Sequence, residues 1–247
     1  MEKPNEFFQS MIRFSLGNEE LAVGLALCLS LNNEDLNTKT RMLLHPEEIN
    51  TGSSYTSDIH RRSFLNGRIA GKMAINKVFP DIPSAACRII TGSIGRPVIG
   101  DLPRHYGISI ANNESWNAGL CFPLSVPMGI DVETITEKNR AIIPSILSSR
   151  EKDLCSSKGD PLELTHLLWT AKEAAGKAIG LGFRVPTEWY EIESVETLRT
   201  EPQLIRQCCF KNLSVFTTLS VEIHGVMLSI AFPAENNLSQ TMIRLLQ

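Results

Sequence analysis

The feature that most constrains this chain is a change of period. In SDIHRRSFLNGRIAGKMAINKVF (57–79) the apolar residues Phe64, Leu65, Ile69, Met73 and Ile75 recur at roughly helical spacing, which predicts a helix. A second, longer helix is predicted from about Leu162 to Ile179, ending at Gly180 with Gly182 just beyond. Elsewhere the apolar runs are short or alternate. LAVGLALCLSL (21–31) reads as a buried strand, and LSVFTTLSVEI (213–223) and HGVMLSIAF (224–232) alternate in strand fashion. Three more short strands fit at 106–111, 117–123 and 128–134, separated by turn residues at Asn112-Asn113 and from Pro123 to Pro127. Ser148-Ser149-Arg150-Glu151 fits a capping box, with Ser148 as the cap and Glu151 reaching back. Each half therefore holds a helix and several strands. The class is α+β, with a seam near Pro123 to Pro127 and expected subdomains 1–124 and 125–247.

Length and composition narrow the function classes. At 247 residues the chain makes one large domain or two small ones, and either can bury a core without staples. The net charge of −3 argues against a general polyanion binder, so no nucleic-acid partner is expected and any attraction for phosphate must be local. Six cysteines are spread along the chain without a Cys-x-x-Cys pair, which suits reduced thiols in a cytoplasmic protein. The start, MEKPNEFF, has acids and a proline where a signal peptide needs basic and then apolar residues. The longest apolar stretch, Leu21 to Leu31, is about half of what crosses a bilayer, so the expectation is a soluble protein with no membrane partner.

Three clusters carry chemistry. In PMGIDVETI (127–135), Asp131 and Glu133 are two apart on a predicted strand, so both carboxylates share a face opposite Ile130 and Val132. Paired carboxylates repel unless a cation or a proton sits between them. A hard ion such as Mg²⁺ takes few carboxylates together with waters and phosphate oxygens. An exposed acidic strand end would show the same spacing. In LLWTAKEAAGKAIGLG (167–182), Trp169, Glu173, Gly176 and Lys177 share one helical stripe. A plain surface pair would also give Glu173 and Lys177, but Trp169 implies partial burial and Gly176 implies close approach by another group. The helix at 57–79 carries His60, Arg61, Arg62, Arg68, Lys72 and Lys77 with no acid between them, which is either a solvated charge run or a phosphate clamp. Arg96 lies in a rigid Gly95-Arg96-Pro97 turn.

Taken in order, these pieces resemble one family, the 4′-phosphopantetheinyl transferases of the larger, pseudo-dimeric, surfactin-synthetase-activating type. That family carries a Gly-Ile/Val-Asp-x-Glu strand and, about forty residues on, a Trp-Ser/Thr-x-Lys-Glu-x-x-x-Lys helix. Here these are Gly129-Ile130-Asp131-Val132-Glu133 and Trp169-Thr170-Ala171-Lys172-Glu173-Ala174-Ala175-Gly176-Lys177. HRRSFLNGRIAGKMAI (60–75), LLHPEE (43–48) and the Gly95-Arg96-Pro97 segment are similar to upstream motifs, so the likeness runs over about 43–190. The resemblance implies two similar subdomains in a pseudo-twofold arrangement with the active site at their interface, in a monomer. It implies transfer of 4′-phosphopantetheine from coenzyme A to a serine of an acyl or peptidyl carrier protein, releasing adenosine 3′,5′-bisphosphate. Asp131, Glu133 and Glu173 would bind Mg²⁺, or Mn²⁺ in its place. Glu173 would also accept the serine proton, directly or through a water. Lys177 would neutralise the pyrophosphate with Lys172 nearby, Arg62 and Arg96 would reach the 3′-phosphate and adenine end, and Ser109 would contact phosphate.

One departure stands out. The family reads Ile-Ser-His-Ser/Thr where this chain reads Ile108-Ser109-Ile110-Ala111, and Ile110 offers neither a charge nor a hydrogen bond. Losing one such contact costs roughly 1–3 kcal/mol. That leaves a non-catalytic module that grips carrier proteins as the alternative reading, and a magnesium-dependent nucleotide phosphohydrolase as a third. Trp116 and Trp189 read as core or cleft walls, and His105 reads first as structural, with partial replacement of the missing histidine as the lesser alternative. His45, His166 and His224 show no metal-ligand spacing.

Overall fold

In the computed structural model, which describes residues 7–92, 95–102, 105–139, 147–157 and 160–246, each half of the chain is organised by one long helix lying on an antiparallel sheet. The chain divides into two units, 1–126 and 127–247.

Unit 1 begins with a hairpin of β1 (Phe7–Leu16) and β2 (Glu19–Leu29), followed by helices α1 (Asn33–Leu43), α2 (Pro46–Ser53) and α3 (Asp58–Val78). Strands β3 (Ile89–Thr91), β4 (Pro97–Ile99), β5 (Tyr106–Asn112) and β6 (Trp116–Pro123) complete it. The main sheet has the order β1-β2-β6-β5, and β3 pairs with β4 beside it. Helix α3 packs on β2, β6 and β5. Gly24 and Gly119 permit this, because a Cβ on either would lie 2.4 Å from a carbonyl oxygen of α3.

Unit 2 runs β7 (Gly129–Thr134), α4 (Ser149–Ser157), α5 (Pro161–Ile179), β8 (Ile192–Arg199), β9 (Ile205–Phe210), β10 (Phe216–Ile223), β11 (Val226–Pro233) and α6 (Asn236–Leu245). Its sheet has the order β7-β11-β10-β9-β8, with α5 across β11, β7 and β10. The predicted limits of α5 are met by its caps. Asp160 accepts from the Leu162 N–H at 2.9 Å, Pro161 starts the helix, and Gly180 ends it at φ 76°. The β10–β11 hairpin turns through His224 and Gly225, both at positive φ, the conformation that a two-residue turn between twisted strands requires. The capping box forms as read, since Ser148 N–H donates to Glu151 at 2.8 Å and Glu151 N–H donates to Ser148 Oγ at 3.3 Å.

The two units repeat one plan. Strands β2-β6-β5 under α3 match β7-β11-β10 under α5. In unit 1 the Glu48 carboxylate takes the ammonium of Lys72 at 2.8 Å, the His45 N–H and the Ile89 N–H. In unit 2 Glu151 takes Lys172 at 2.7 Å, the Ser148 N–H and the Ile192 N–H. Both ion pairs are buried and every strong acceptor is used, the condition under which a buried pair holds a helix in place.

No helix among the described residues is long and apolar enough to cross a membrane. All six cysteines are free thiols.

Candidate active site

The site is built where β7 runs under α5. Gly129 lets them touch, since a Cβ there would lie 2.1 Å from the Ala174 carbonyl oxygen. Two residues on, pleating turns Asp131 and Glu133 to the helix side, while Ile130 and Val132 are buried on the other face. Asp131 is only 6% exposed. Its Oδ1 takes the Lys177 ammonium at 2.7 Å, and its Oδ2 is buried without a hydrogen-bond partner among the described residues.

Helix α5 supplies the rest. Trp169, Glu173 and Lys177 are half-buried on one stripe of a helix whose other contacts are buried. Trp169 draws the Glu133 carboxyl down toward its ordinary range. Gly176 meets the returning chain, with Gly182 Cα 3.1 Å from where a Cβ would stand.

The electrostatics mark a crowded set of acids. Glu133 is pushed up to about 7, first by burial and next by the Asp131 charge, against the pull of Trp169 and Lys177. Glu173 is likewise pushed up to about 7 by burial and by Asp131, against Lys177. With these side-chain conformations no three acidic, histidine or cysteine groups among the described residues converge on a common point, and Lys177 supplies the positive charge against Asp131. The donor set nonetheless fits a hard divalent cation. It comprises oxygen donors alone, one of them buried and unpartnered, and two carboxyls whose ionisation is opposed by burial and then by the Asp131 charge.

The remaining expected residues separate. Lys172 is corrected: it is 1% exposed, its ammonium is held by Glu151, and it faces the interior of unit 2 rather than a ligand. Arg62 is engaged at the head of α1, donating to the Leu31 carbonyl at 2.7 Å and to the Asn33 side chain. Arg96 is exposed and lines a cavity of about 400 Å³ together with His105. Ile110 lines a different cavity of about 280 Å³, so His105 does not replace the absent histidine there. Ser109 is buried on β5, in register with Leu120. Trp116 is buried, whereas Trp189 is 52% exposed and not a core residue.

The cation in the Ile110 cavity is Arg68. It is 9% exposed, stacks 4.6 Å from the Phe64 ring centroid, and donates to Thr91 Oγ1 at 3.3 Å, with its Nε buried and unpartnered. His60 and Ser63 line the same cavity. Helical spacing alone does not separate Arg68 from the other five basic residues of α3. Phe64 at i−4 was the available signal, because an aromatic one turn away can hold a guanidinium flat.

Comparison with known proteins decides the family. Residues 127–229 match the family model of the 4′-phosphopantetheinyl transferase superfamily. The chain is 32% identical over 108 residues to a holo-[acyl-carrier-protein] synthase of Geobacter sulfurreducens, covering 84% of that protein and 41% of this one. This chain belongs to the 4′-phosphopantetheinyl transferase superfamily. The 4′-phosphopantetheinyl transferase gsp of Aneurinibacillus migulanus is 26% identical over 200 residues, which is 71% of this chain and 81% of that one, placing this transferase-superfamily member with the larger type. A holo-[acyl-carrier-protein] synthase of Geobacter metallireducens is 31% identical over 83 residues, 31% of this chain and 66% of that protein.

Proposed function

We propose that this protein transfers the 4′-phosphopantetheine arm of coenzyme A to a serine of an apo acyl or peptidyl carrier protein, in a magnesium-dependent reaction. The observation that carries this reading is the acid cluster: Asp131 with a bare buried oxygen, beside Glu133 and Glu173, both raised to about 7, and Lys177 on the same stripe as Glu173.

Asp131, Glu133 and Glu173 would hold the ion. When bound, Mg²⁺ supplies positive charge to pyrophosphate oxygens, the need common to phosphoryl transfers. The protein groups do the rest. Trp169, on the stripe of Glu173 and Lys177, favours the ionised form of Glu133. Glu173, half-buried beside Lys177 on the same stripe, is the carboxylate placed to take a proton from a serine hydroxyl. Lys177, 29% exposed at its side chain, can share its ammonium between Asp131 and an anionic substrate. The phosphate-binding duty that the resemblance gave to Arg62 fits Arg68 better, since its guanidinium lines a cavity with unfilled donor capacity.

The test is to incubate the protein with Mg²⁺, coenzyme A and apo-carrier proteins and to weigh the carriers. An unchanged mass across several carriers counts against the reading. Ile110, an apolar wall beside Arg68, favours a second reading as a non-catalytic carrier-binding module. Calorimetry separates the two, because such a module takes up carrier but shows no Mg²⁺-dependent affinity for coenzyme A.

A further inference from the structure

Three buried hydroxyls join α5 to its sheet at the level of the carboxylates. Thr170 Oγ1 lies 2.7 Å from Ser229 Oγ on β11, and Ser229 Oγ lies 2.7 Å from Ser220 Oγ on β10. Thr170 and Ser229 are 0% exposed and Ser220 1%. Counting protons gives the chain a direction. Each hydroxyl has one proton to donate and room to accept. Thr170 Oγ1 also stands 3.0 Å from the His166 carbonyl and 3.1 Å from that of Leu167, groups that can only accept. Thr170 therefore donates into its own helix and must accept from Ser229. Ser229 in turn accepts from Ser220. The reverse order would give up the bond to the helix carbonyl and leave the Ser220 proton without an acceptor among the described residues.

The location matters more than the count. On α5, Thr170 precedes Glu173 by three residues and Lys177 by seven, the spacings that share a helix face. On the sheet, Ser229 is the cross-strand partner of Asp131, so their side chains emerge side by side on the face under α5. Unit 1 serves as a built-in control. Aligning the two units by Lys72 with Lys172 and Gly24 with Gly129, the three positions are held by Ala70, Gly119 and Ile110. There the helix meets the sheet backbone to backbone, a Cβ on Gly119 falling 2.4 Å from the Ala70 carbonyl oxygen. The buried lysine–glutamate pair occurs in both units, whereas the hydroxyl chain occurs only where there are carboxylates.

We propose that Thr170, Ser229 and Ser220 are positioning residues that set the rotation and height of α5 on the sheet, and so hold Glu173 and Lys177 at their working separation from Asp131 and Glu133. The inference rests on the metal reading given above. The three hydroxyls bond to helix carbonyls and to one another, so they act through the placement of the helix that carries Glu173 and Lys177.

The test measures Mn²⁺ binding to the full chain by electron paramagnetic resonance, alongside thermal melts and the Mg²⁺ dependence of carrier loading. Thr170→Val and Ser229→Ala, each folded by circular dichroism, are expected to weaken Mn²⁺ about tenfold or more, as lost outer-shell partners do. The double variant should be little worse than the worse single one, because the hydroxyls act as one chain. Thr170→Ser should restore binding. Mn²⁺ affinities within about twofold of wild type in folded Thr170→Val and Ser229→Ala overturn the proposal. So does loss of fold in both variants, which would make the hydroxyls determinants of folding alone. A wild-type protein without Mn²⁺ affinity overturns the metal reading itself, an outcome distinct from variants that bind as well as a wild type that does bind.

Discussion

Unit 1 and unit 2 share a plan and differ in what they place on it. Aligned on Gly24 with Gly129, Asp131 and Glu133 correspond to Ala26 and Cys28, which are 0% and 1% exposed. Aligned on Lys72 with Lys172, Glu173 corresponds to Met73, packed against the unit 1 core. Lysine stands at 77 and at 177 alike. The buried ion pair, the tight glycine under the helix and the strand order persist in both units. Buried features present in both are therefore requirements of the fold, and features present only in unit 2 are candidates for chemistry; Lys177 joins the second group through its partner Asp131, which unit 1 replaces with Ala26. This sorting moves Lys172 from ligand binding to architecture, although it sits next to Glu173 in sequence.

The largest effect should come from the shared feature. Lys72→Met and Lys172→Met each strand a buried glutamate whose other partners are backbone N–H groups. Each is expected to cost about 3–5 kcal/mol in urea unfolding, with the two costs alike. A Lys172→Met variant of normal stability but raised KM for coenzyme A would break the comparison and return Lys172 to the ligand.

Next come the unshared carboxylates. Asp131→Asn and Glu173→Gln should each lower carrier loading by at least about a hundredfold, the order seen when a group stabilising transition-state charge is lost. Met73→Leu, at the matching place in unit 1, should leave loading within about threefold. Full activity in either carboxylate variant removes the metal assignment.

The glycines test both sides at once. Gly24→Ala and Gly129→Ala push a methyl into helix backbone at 2.4 Å and 2.1 Å respectively. Overpacking of this kind costs about 1–3 kcal/mol. Both variants should melt earlier, but Gly129→Ala alone lifts α5 off the acid-bearing strand. Its loading rate, measured well below the melt, should fall further than that of Gly24→Ala.

Much of this was legible in the sequence where a local signal suffices. α3, α5, β5 to β7 and the β10–β11 hairpin follow from period, caps and turn residues. Other elements lack such signals. Helix α1 buries only Leu36 and Thr40, too few to show a period. In β8, Ile192 and Val195 are buried three apart, because an irregularity after Ile192 breaks the alternation. At the site, the Asp131–Glu133 spacing and the Trp169–Glu173–Lys177 stripe are local. The burial of Lys172 depends on Glu151, on a different helix, and the hydroxyl chain depends on Ser220 and Ser229, on the third and fourth strands after α5. Pairings at that separation follow from topology, which no window of residues contains.

The smallest expected effect tests whether the crowded acids belong to unit 2 alone. Unfolded, Glu133 and Glu173 release their protons near 4.5, whereas in the folded protein both titrate at about 7. Between those values the native state binds more protons than the unfolded chain, so stability falls as pH rises. The contribution is fully present below about 4.5 and is lost as pH passes through about 7. Both side chains are half-buried, so screening limits the change, and the metal-free protein should lose only a few degrees of Tm across this range. Mg²⁺ competes with the same protons and should raise Tm more at pH 8 than at pH 6. Since unit 1 has cysteine and methionine at these positions, Glu133→Gln with Glu173→Gln should flatten the profile and abolish the Mg²⁺ response. A slope that survives the double substitution would have to arise elsewhere in the chain, and the division of labour between the units would lose its electrostatic support.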